Sequence, residues 1–260
     1  MKLLKKILPQ CKQLLTFGLR QALCCIFPVA IFITLALSHI IHIPFLSRYD
    51  FILLVCLMVQ FFMVYSKLET VDELKVICLF HIIGLGLELF KVHMGSWSYP
   101  EDAFFKIGGV PLYSGFMYAS VASYICQAWR RFDLKFINWP SNTITYPLAF
   151  CIYANFFTHH VIPDLRWVII VALFIIFWKS KVGFSIEQHT YKMPLILAFL
   201  LIGFFIWIAE NISTFFGAWQ YPNQSATWQM VHLGKISSWF LLVIISIIIV
   251  ANLKHFKYRK

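Results

Sequence analysis

The sequence predicts an all-α, polytopic membrane protein of about eight transmembrane helices arranged as two parallel four-helix repeats. Three observations predict it: the length of the apolar runs, the side on which basic residues gather, and one string that occurs twice. Of 260 residues, 60% are hydrophobic and 13% charged, with a mean hydropathy of +0.77. A soluble domain averages about 25% charged residues. A backbone that crosses hydrocarbon must satisfy its own hydrogen bonds, so apolar runs of this length mean helices.

The chain opens on a basic segment, 1–20, with Lys2, Lys5, Lys6, Lys12 and Arg20. Leu3, Leu4, Ile7, Leu8, Cys11, Leu14 and Leu15 share one helical face, the pattern of a cationic helix lying in the membrane interface. The apolar run behind it is too long for a cleaved signal, and no small-x-small site ends it. Spans follow at 21–42, 50–66, 74–94 and 107–128 in a first half (21–140), then at 144–162, 165–181, 193–212 and 229–252 in a second (141–252). A basic tail, 253–260, closes one membrane domain. The sixth span is the shortest, with Trp167 and Trp178 as interface anchors and Lys179 and Lys181 free to snorkel. Gly108-Gly109-Val110-Pro111 should break or kink the start of the fourth.

Charge placement sets the orientation. With the N-terminus inside, 17 of the 22 Lys and Arg residues fall on the same side, leaving Arg48, Lys91, Lys106, Arg166 and Lys235 at the outer one. Both termini are therefore expected in the cytoplasm. The net charge of +11 lies beside the apolar runs, where it meets anionic headgroups, so membrane lipids rather than nucleic acid are the expected partners. Cys24, Cys25, Cys56, Cys78, Cys126 and Cys151 sit inside apolar runs and read as small buried hydrophobes. With no CxxC pair, neither disulfides nor a metal site is expected.

The duplicated string is Glu88-x6-Gly95-Ser-Trp97-Ser-Tyr99-Pro100, which returns as Glu210-x6-Gly217-Ala-Trp219-Gln-Tyr221-Pro222 at a constant offset of 122. The offset carries span three onto span seven and span four onto span eight. An even number of spans per half keeps the halves in the same orientation, so both strings end their third spans at the outer side. The plain reading is a helix exit followed by an aromatic belt. The sharper one is that Glu88 and Glu210 face a shared polar chamber, because carboxylates inside a span are costly. Other polar residues gather at that depth: Lys91, His93, Asn155, His159, His160, Asp164, Arg166, Asn211, His232 and Lys235. The inner halves of the spans look almost free of ionisable groups. Glu88 and Lys91 are spaced to pair, and Lys235 is a natural counter-ion for Glu210. His81 lies two turns before Glu88 on the same face, as a hydrogen-bonded core residue or a proton relay. Adjacent His159 and His160 point about 100° apart on a helix and do not make a metal pair.

These residues carry a resemblance. Glu88-Leu-Phe-Lys91, Gly95-Ser-Trp-Ser-Tyr-Pro-Glu101, Gly109-Val-Pro-Leu-Tyr-Ser-Gly-Phe-Met-Tyr118, Asn155-Phe-Phe-Thr-His-His160, Ala209-Glu-Asn211 and Gly217-Ala-Trp-Gln-Tyr-Pro222 resemble a bacterial family of integral membrane proteins defined as domain of unknown function eight-one-seven. That resemblance implies a bacterial inner membrane and no particular activity. Glu88, Gly95, Trp97, Tyr99 and Gly109-Val110-Pro111 are also similar to the pattern of membrane carotenoid hydratases and lycopene cyclases, over about a third of the chain.

Three functional readings follow. The first is an enzyme that protonates an alkene of an isoprenoid or carotenoid-like lipid, for hydration or cyclisation. Such chemistry needs a carboxylic acid kept neutral by burial and aromatic faces for the cation. Glu88, Glu210, His232 and Lys235 would be its catalytic groups, and Trp97, Tyr99, Trp219, Tyr221, Asn155, His159, His160 and Asn211 would bind the substrate, with no cofactor. The second is a small-molecule permease with an intramembrane Glu/His/Lys site. The third is a scaffold or lipid-binding protein. Oligomeric state has no signature in the chain.

Overall fold

The computed structural model describes the backbone of residues 2–258 and the side chains of 10–252. The side chains of Leu3, Leu4, Ile7 and Leu8, and those of the basic tail 253–260, lie outside the described residues. The elements run α1 (Lys2–Cys24), α2 (Ile26–Leu37), α3 (Arg48–Tyr65), α4 (Val71–His93), β1 (Lys106–Ile107), β2 (Val110–Pro111), α5 (Ser114–Arg131), β3 (Lys135–Ile137), α6 (Asn142–Thr158), α7 (Arg166–Ile176), β4 (Lys181–Ile186), β5 (His189–Pro194), α8 (Leu195–Phe215) and α9 (Lys235–Tyr258). Helices dominate. Among the described residues α3, α4, α8 and the 235–252 part of α9 are long and apolar enough to cross a membrane. The pair 10–24 and α2, bent by 65° at Cys24 and Cys25, would make a fifth span.

Two departures from an all-α chain have local causes. Residues 107–113, expected inside a fourth span, form a β1–β2 hairpin instead, with Ile107 opposite Val110. Gly108 and Gly109 sit at φ +55 and +81, a two-residue turn that only glycine adopts freely. Helix α5 starts after it. The sixth expected span likewise stops at Ile176, and alternating Val182, Phe184 and Ile186 lead into a three-stranded antiparallel sheet, β3–β4–β5, that turns at Glu187 (φ +53). Arg20 of α1 donates to the carbonyls of Arg131 and Ser185, tying the first helix to this sheet.

α4 packs along α5, and α8 along α9. Gly203 makes the second approach close: a Cβ there would stand 2.9 Å from the Phe240 backbone nitrogen. Phe27, Phe116, Phe199, Phe240, Ile244 and Ile248 belong to one continuous buried core. The cysteines divide. Cys24, Cys56 and Cys126 are buried, whereas Cys11, Cys78 and Cys151 are exposed on the outside of the bundle, and all seven are free thiols. The reading of Cys78 and Cys151 as buried therefore fails, because lipid accepts a small apolar thiol as readily as a core does.

The connection between α3 and α4, beside the inner span ends expected to be nearly free of ionisable groups, holds a buried cluster. Glu69 and Glu73, 2% and 1% exposed, stand where α3 turns into α4. Glu69 accepts from Gln60 Nε2 at 2.6 Å and from Ser123, while Arg130 Nε lies 3.4 Å from Glu73. Thr70 and Glu73 form a reciprocal capping box that starts α4.

Candidate functional site

The duplicated string is a helix ending that folds back on its own glutamate. α4 and α8 both stop at a glycine in the left-handed region, Gly95 at φ +70 and Gly217 at φ +64. Each reverses the chain with the same pair of bonds: Gly95 N–H to Val92 O and Ser96 N–H to Lys91 O, then Gly217 N–H to Thr214 O and Ala218 N–H to Ser213 O. The reversal carries a tyrosine back over two helical turns. Tyr99 donates to Glu88 Oε2 at 2.8 Å, and Tyr221 donates to Glu210 Oε1 at 2.6 Å. The two loops then pair through their middle residues, with Ser98 and Gln220 exchanging N–H···O bonds of 2.9 Å in both directions. Arg48 holds the junction, donating to Glu101 and to the Phe216 and Gly217 carbonyls. Tyr113 donates to the Ala218 carbonyl.

Both glutamates are 3% exposed and wrapped by aromatic donors. Glu88 accepts from Trp97 Nε1 at 2.6 Å, Tyr99 and Tyr118 at 2.7 Å. Glu210 accepts from Tyr221 and from Trp239 Nε1 at 2.7 Å. A Trp N–H can only donate, so the oxygens facing Trp97 and Trp239 act as acceptors. Gly84 lets Tyr118 in: a Cβ at that position would meet the Tyr118 ring at 2.6 Å.

The two acids face one cavity of about 840 Å³. Its polar end is made by Glu88, Lys91, Trp97, Arg166, Glu210 and Lys235, and its body by Val121, Ile125, Ala198, Ile202 and Ile206. The far end is closed by Phe132, Phe136, Val182 and Phe184 from the edge of the sheet. Lys235 sits on ring faces rather than in a carboxylate pair, 5.1 Å from the Trp97 centroid and 4.6 Å from that of Tyr221.

Two expected ion pairs do not form in the way the spacing suggested. Lys91 turns away from Glu88 and contacts the Nε2 atoms of His159 and His160 at 3.2 and 3.0 Å. His159 Nδ1 lies 2.9 Å from the Asn155 carbonyl, which fixes the proton on Nδ1 and leaves Nε2 to accept. Lys235 is within electrostatic reach of both Glu210 and Glu88, but the cation–π contacts set its position.

Of the remaining expected site residues, Trp219, Tyr221 and His159 line the cavity. Tyr99 is buried behind Glu88. Asn155 is a loop brace, donating to Asp164 and accepting from Leu165 N–H. Asn211 braces the Val231 N–H. His232 is exposed in the turn before α9, where its Nδ1 accepts from Gly234 N–H, so it is neither within a span nor at the site. His81 packs edge-on to Phe116, and its buried Nδ1 has no hydrogen-bond partner among the described residues, unlike the bonded core histidine expected. Asp164 keeps its charge: burial works against it, but bonds from Asn155 and the Arg166 N–H, with the Arg166 charge, hold it below the usual aspartate range.

Tyr118 and Trp239 are functional neighbours that residue spacing missed. They follow their glutamates by 30 and 29 residues on the next helix, so the constant offset of 122 does not align them and nothing in the spacing singles them out.

The fold is similar to that of the crystal structure of the cross-linked MvINS trimer, with a TM-score of 0.52 and 12% identity over 72% of this chain and 95% of that one. At that identity the likeness is one of fold alone. The uncharacterized protein YoaT of Bacillus subtilis (strain 168) is 62% identical over 246 residues, 95% of this chain and 93% of its own length. A family model matches residues 13–247. The chain belongs to the family described as Protein of unknown function (DUF817).

Proposed function

We propose that the protein is a multi-pass membrane protein that binds one lipid with an elongated apolar tail, of isoprenoid kind, in the cavity. The observation that carries the reading is the cavity's build: about 840 Å³ of largely aliphatic and aromatic lining with every charged group at one end. That volume lies within the roughly 300–1,000 Å³ range of pockets that enclose small ligands. A permeation path for a polar solute gains little support, because apart from Gln21, Ser120 and Tyr124 the body is lined by aliphatic and aromatic side chains. The test is mass spectrometry of organic extracts from the purified protein beside Ala198→Trp and Val121→Trp, which fill the body. A lipid that co-purifies with the parent chain and falls at least tenfold in the filled, folded variants supports the reading. A parent extract no richer than a detergent blank sinks it.

Alkene protonation is a second reading of the same cavity, favoured by two carboxylates among Trp and Tyr rings. A glutamic acid would protonate an alkene carbon, water would capture the cation, and a carboxylate would take the released proton, a net gain of one water. The geometry supports binding better. Aromatic donors already engage both oxygens of Glu88 and of Glu210, and Lys235 already covers the Trp97 and Tyr221 ring faces a carbocation would need. A product heavier by one water that disappears in Glu88→Gln, Glu210→Gln would reverse that ranking.

The topology is proposed as eight crossings in two parallel repeats, with both ends cytoplasmic in the inner membrane. The matched glycine turns, the matched Tyr–Glu bonds and the Ser98–Gln220 exchange at the 122-residue offset support the repeat. The Lys and Arg distribution supports the orientation.

A further inference from the structure

We infer that the polar end of the cavity is an anion site, built by Lys91, Lys235 and Arg166, for the phosphate or carboxylate head of an amphiphile whose tail fills the apolar body. The inference rests on the lipid-binding reading and names the class of lipid.

The argument is an inventory of donors and acceptors. Three acids stand near this end, and each is already supplied. Five aromatic donors occupy the oxygens of Glu88 and Glu210. Asp164 takes Asn155 Nδ2 at 3.0 Å, the Arg166 N–H at 2.9 Å and the Arg166 guanidinium at 3.1 Å. The cations are supplied less well. Lys91 is 5% exposed, and its ammonium contacts two imidazole nitrogens, which accept only when unprotonated. An ammonium has three N–H donors, so two go to His159 and His160 and the third is left for the cavity, which Lys91 lines. Lys235 rests on two ring faces. Arg166 keeps donors beyond those used on Asp164 and on Ser237 Oγ at 3.2 Å. The three cations lie within electrostatic reach of one another, and Asp164, Glu210 and Glu88 offset part of that repulsion from positions that are not in contact with the lysines.

A buried cation is costly unless a charged partner completes it. One anionic oxygen group among Lys91, Lys235 and Arg166 would give the two lysines the charged partner they lack and take a spare Arg166 donor beside its pair with Asp164. Glu88 and Glu210 oppose an anion, but their oxygens are turned to Trp and Tyr donors, and Lys235 stands close to both. Arg offers a planar fork suited to phosphate or carboxylate, and the lysines act as point charges. The apolar body begins directly beside these groups, which selects a ligand with a tail over a free ion.

The test is a set of matched titrations of the full chain in neutral detergent, read by tryptophan fluorescence, because Trp97, Trp219 and Trp239 line the cavity. The probes are geranylgeranyl monophosphate against geranylgeraniol, and palmitate against hexadecanol. Each pair shares a tail, and each probe's partitioning is measured in detergent without protein, so that affinities compare free concentrations. The expected result is an anionic probe that binds at least about tenfold tighter than its alcohol, the scale of one charge-assisted hydrogen bond. A gap in the phosphate pair alone assigns a phosphorylated lipid, in the palmitate pair alone a carboxylate one, and in both a general anionic head. Lys91→Met should close most of the gap, and Lys235→Met serves if that variant does not fold. Alcohols that bind as tightly as their anions would overturn the anion site and leave the lipid cavity standing. A gap that survives both substitutions would also overturn it. Failure of every probe would overturn both readings together.

Discussion

Replacing Glu88 separates the role of its carboxylate as a structural hub from any chemistry it performs. Three donors from three parts of the chain converge on it: Trp97 and Tyr99 from the loop, and Tyr118 from α5. Glu88→Leu removes both oxygens and leaves an indole N–H and two phenols in a site where the parent residue is 3% exposed. An orphaned buried donor costs about 1–3 kcal/mol. The indole can only donate, and the phenols can turn in part toward one another, so the total should fall at roughly 3–6 kcal/mol. Glu88→Gln keeps one oxygen. Placed toward Trp97 and Tyr99, it satisfies both, while the amide donates to the Tyr118 hydroxyl oxygen. Only the charge assistance is lost, roughly 0.5–1 kcal/mol per bond. The measurement is the thermal unfolding midpoint in one detergent, followed by tryptophan emission. The order should be parent, then Gln, then Leu far below. A Leu variant as stable as the parent would refute the hub, since an apolar replacement is neutral only when no donors are stranded.

Two further perturbations test the parts that hold this hub. Arg48→Ala removes the group that joins Glu101 to the Phe216 and Gly217 carbonyls at the end of α8; a loss of about 2–3 kcal/mol is expected, with faster amide exchange in 95–101 and 216–221, and unchanged exchange there would contradict it. Asp164 governs an acid limb: its folded pKa lies below the ordinary aspartate value, so its contribution is complete above about pH 4 and is lost as pH falls through that lower folded value. Proteolysis within 155–166 should therefore rise below pH 4 in the parent, and in Asp164→Asn the same segment should be cut readily at pH 6.

Much of the site was legible because its residues carry signals that depend on few contacts. Glu88 and Glu210 stand out as carboxylates in apolar runs, and Gly95 and Gly217 mark helix ends, where a left-handed residue is needed whatever surrounds it. The tyrosines came along through the repeated spacing. What spacing cannot carry is choice among partners. Glu88 and Lys91, three apart, looked like a pair, yet Lys91 points to two histidines of α6's end and Glu88 to a loop and α5. Both arrangements satisfy the same local geometry, and only the tertiary position of His159 and His160 decides between them. The hairpin at 106–111 was half legible: Gly108 and Gly109 announced a break, but a break in an apolar run reads equally as a kinked span or a turn.

The missed cluster at Glu69 and Glu73 follows the same logic in reverse. Residues 66–75 look like a polar connection in water, since Ser66, Lys67, Glu69, Thr70, Asp72, Glu73 and Lys75 are all hydrophilic. Burial is imposed by neighbours far along the chain: Gln60, Ser123 and Arg130 bring the bonds that let two carboxylates leave solvent. Those partners are unremarkable in their own segments, one Gln in an apolar helix and one Ser on a small-residue face of α5. A buried polar network is therefore written across segments and a helix end within one, which is why the repeated turn was readable and its surroundings were not. The same asymmetry bears on Lys91 and Lys235: their incomplete coordination appears only once the donors of Glu88 and Glu210 are placed, and it is that shortfall of acceptors turned toward the lysines, rather than any motif, that points to the ligand.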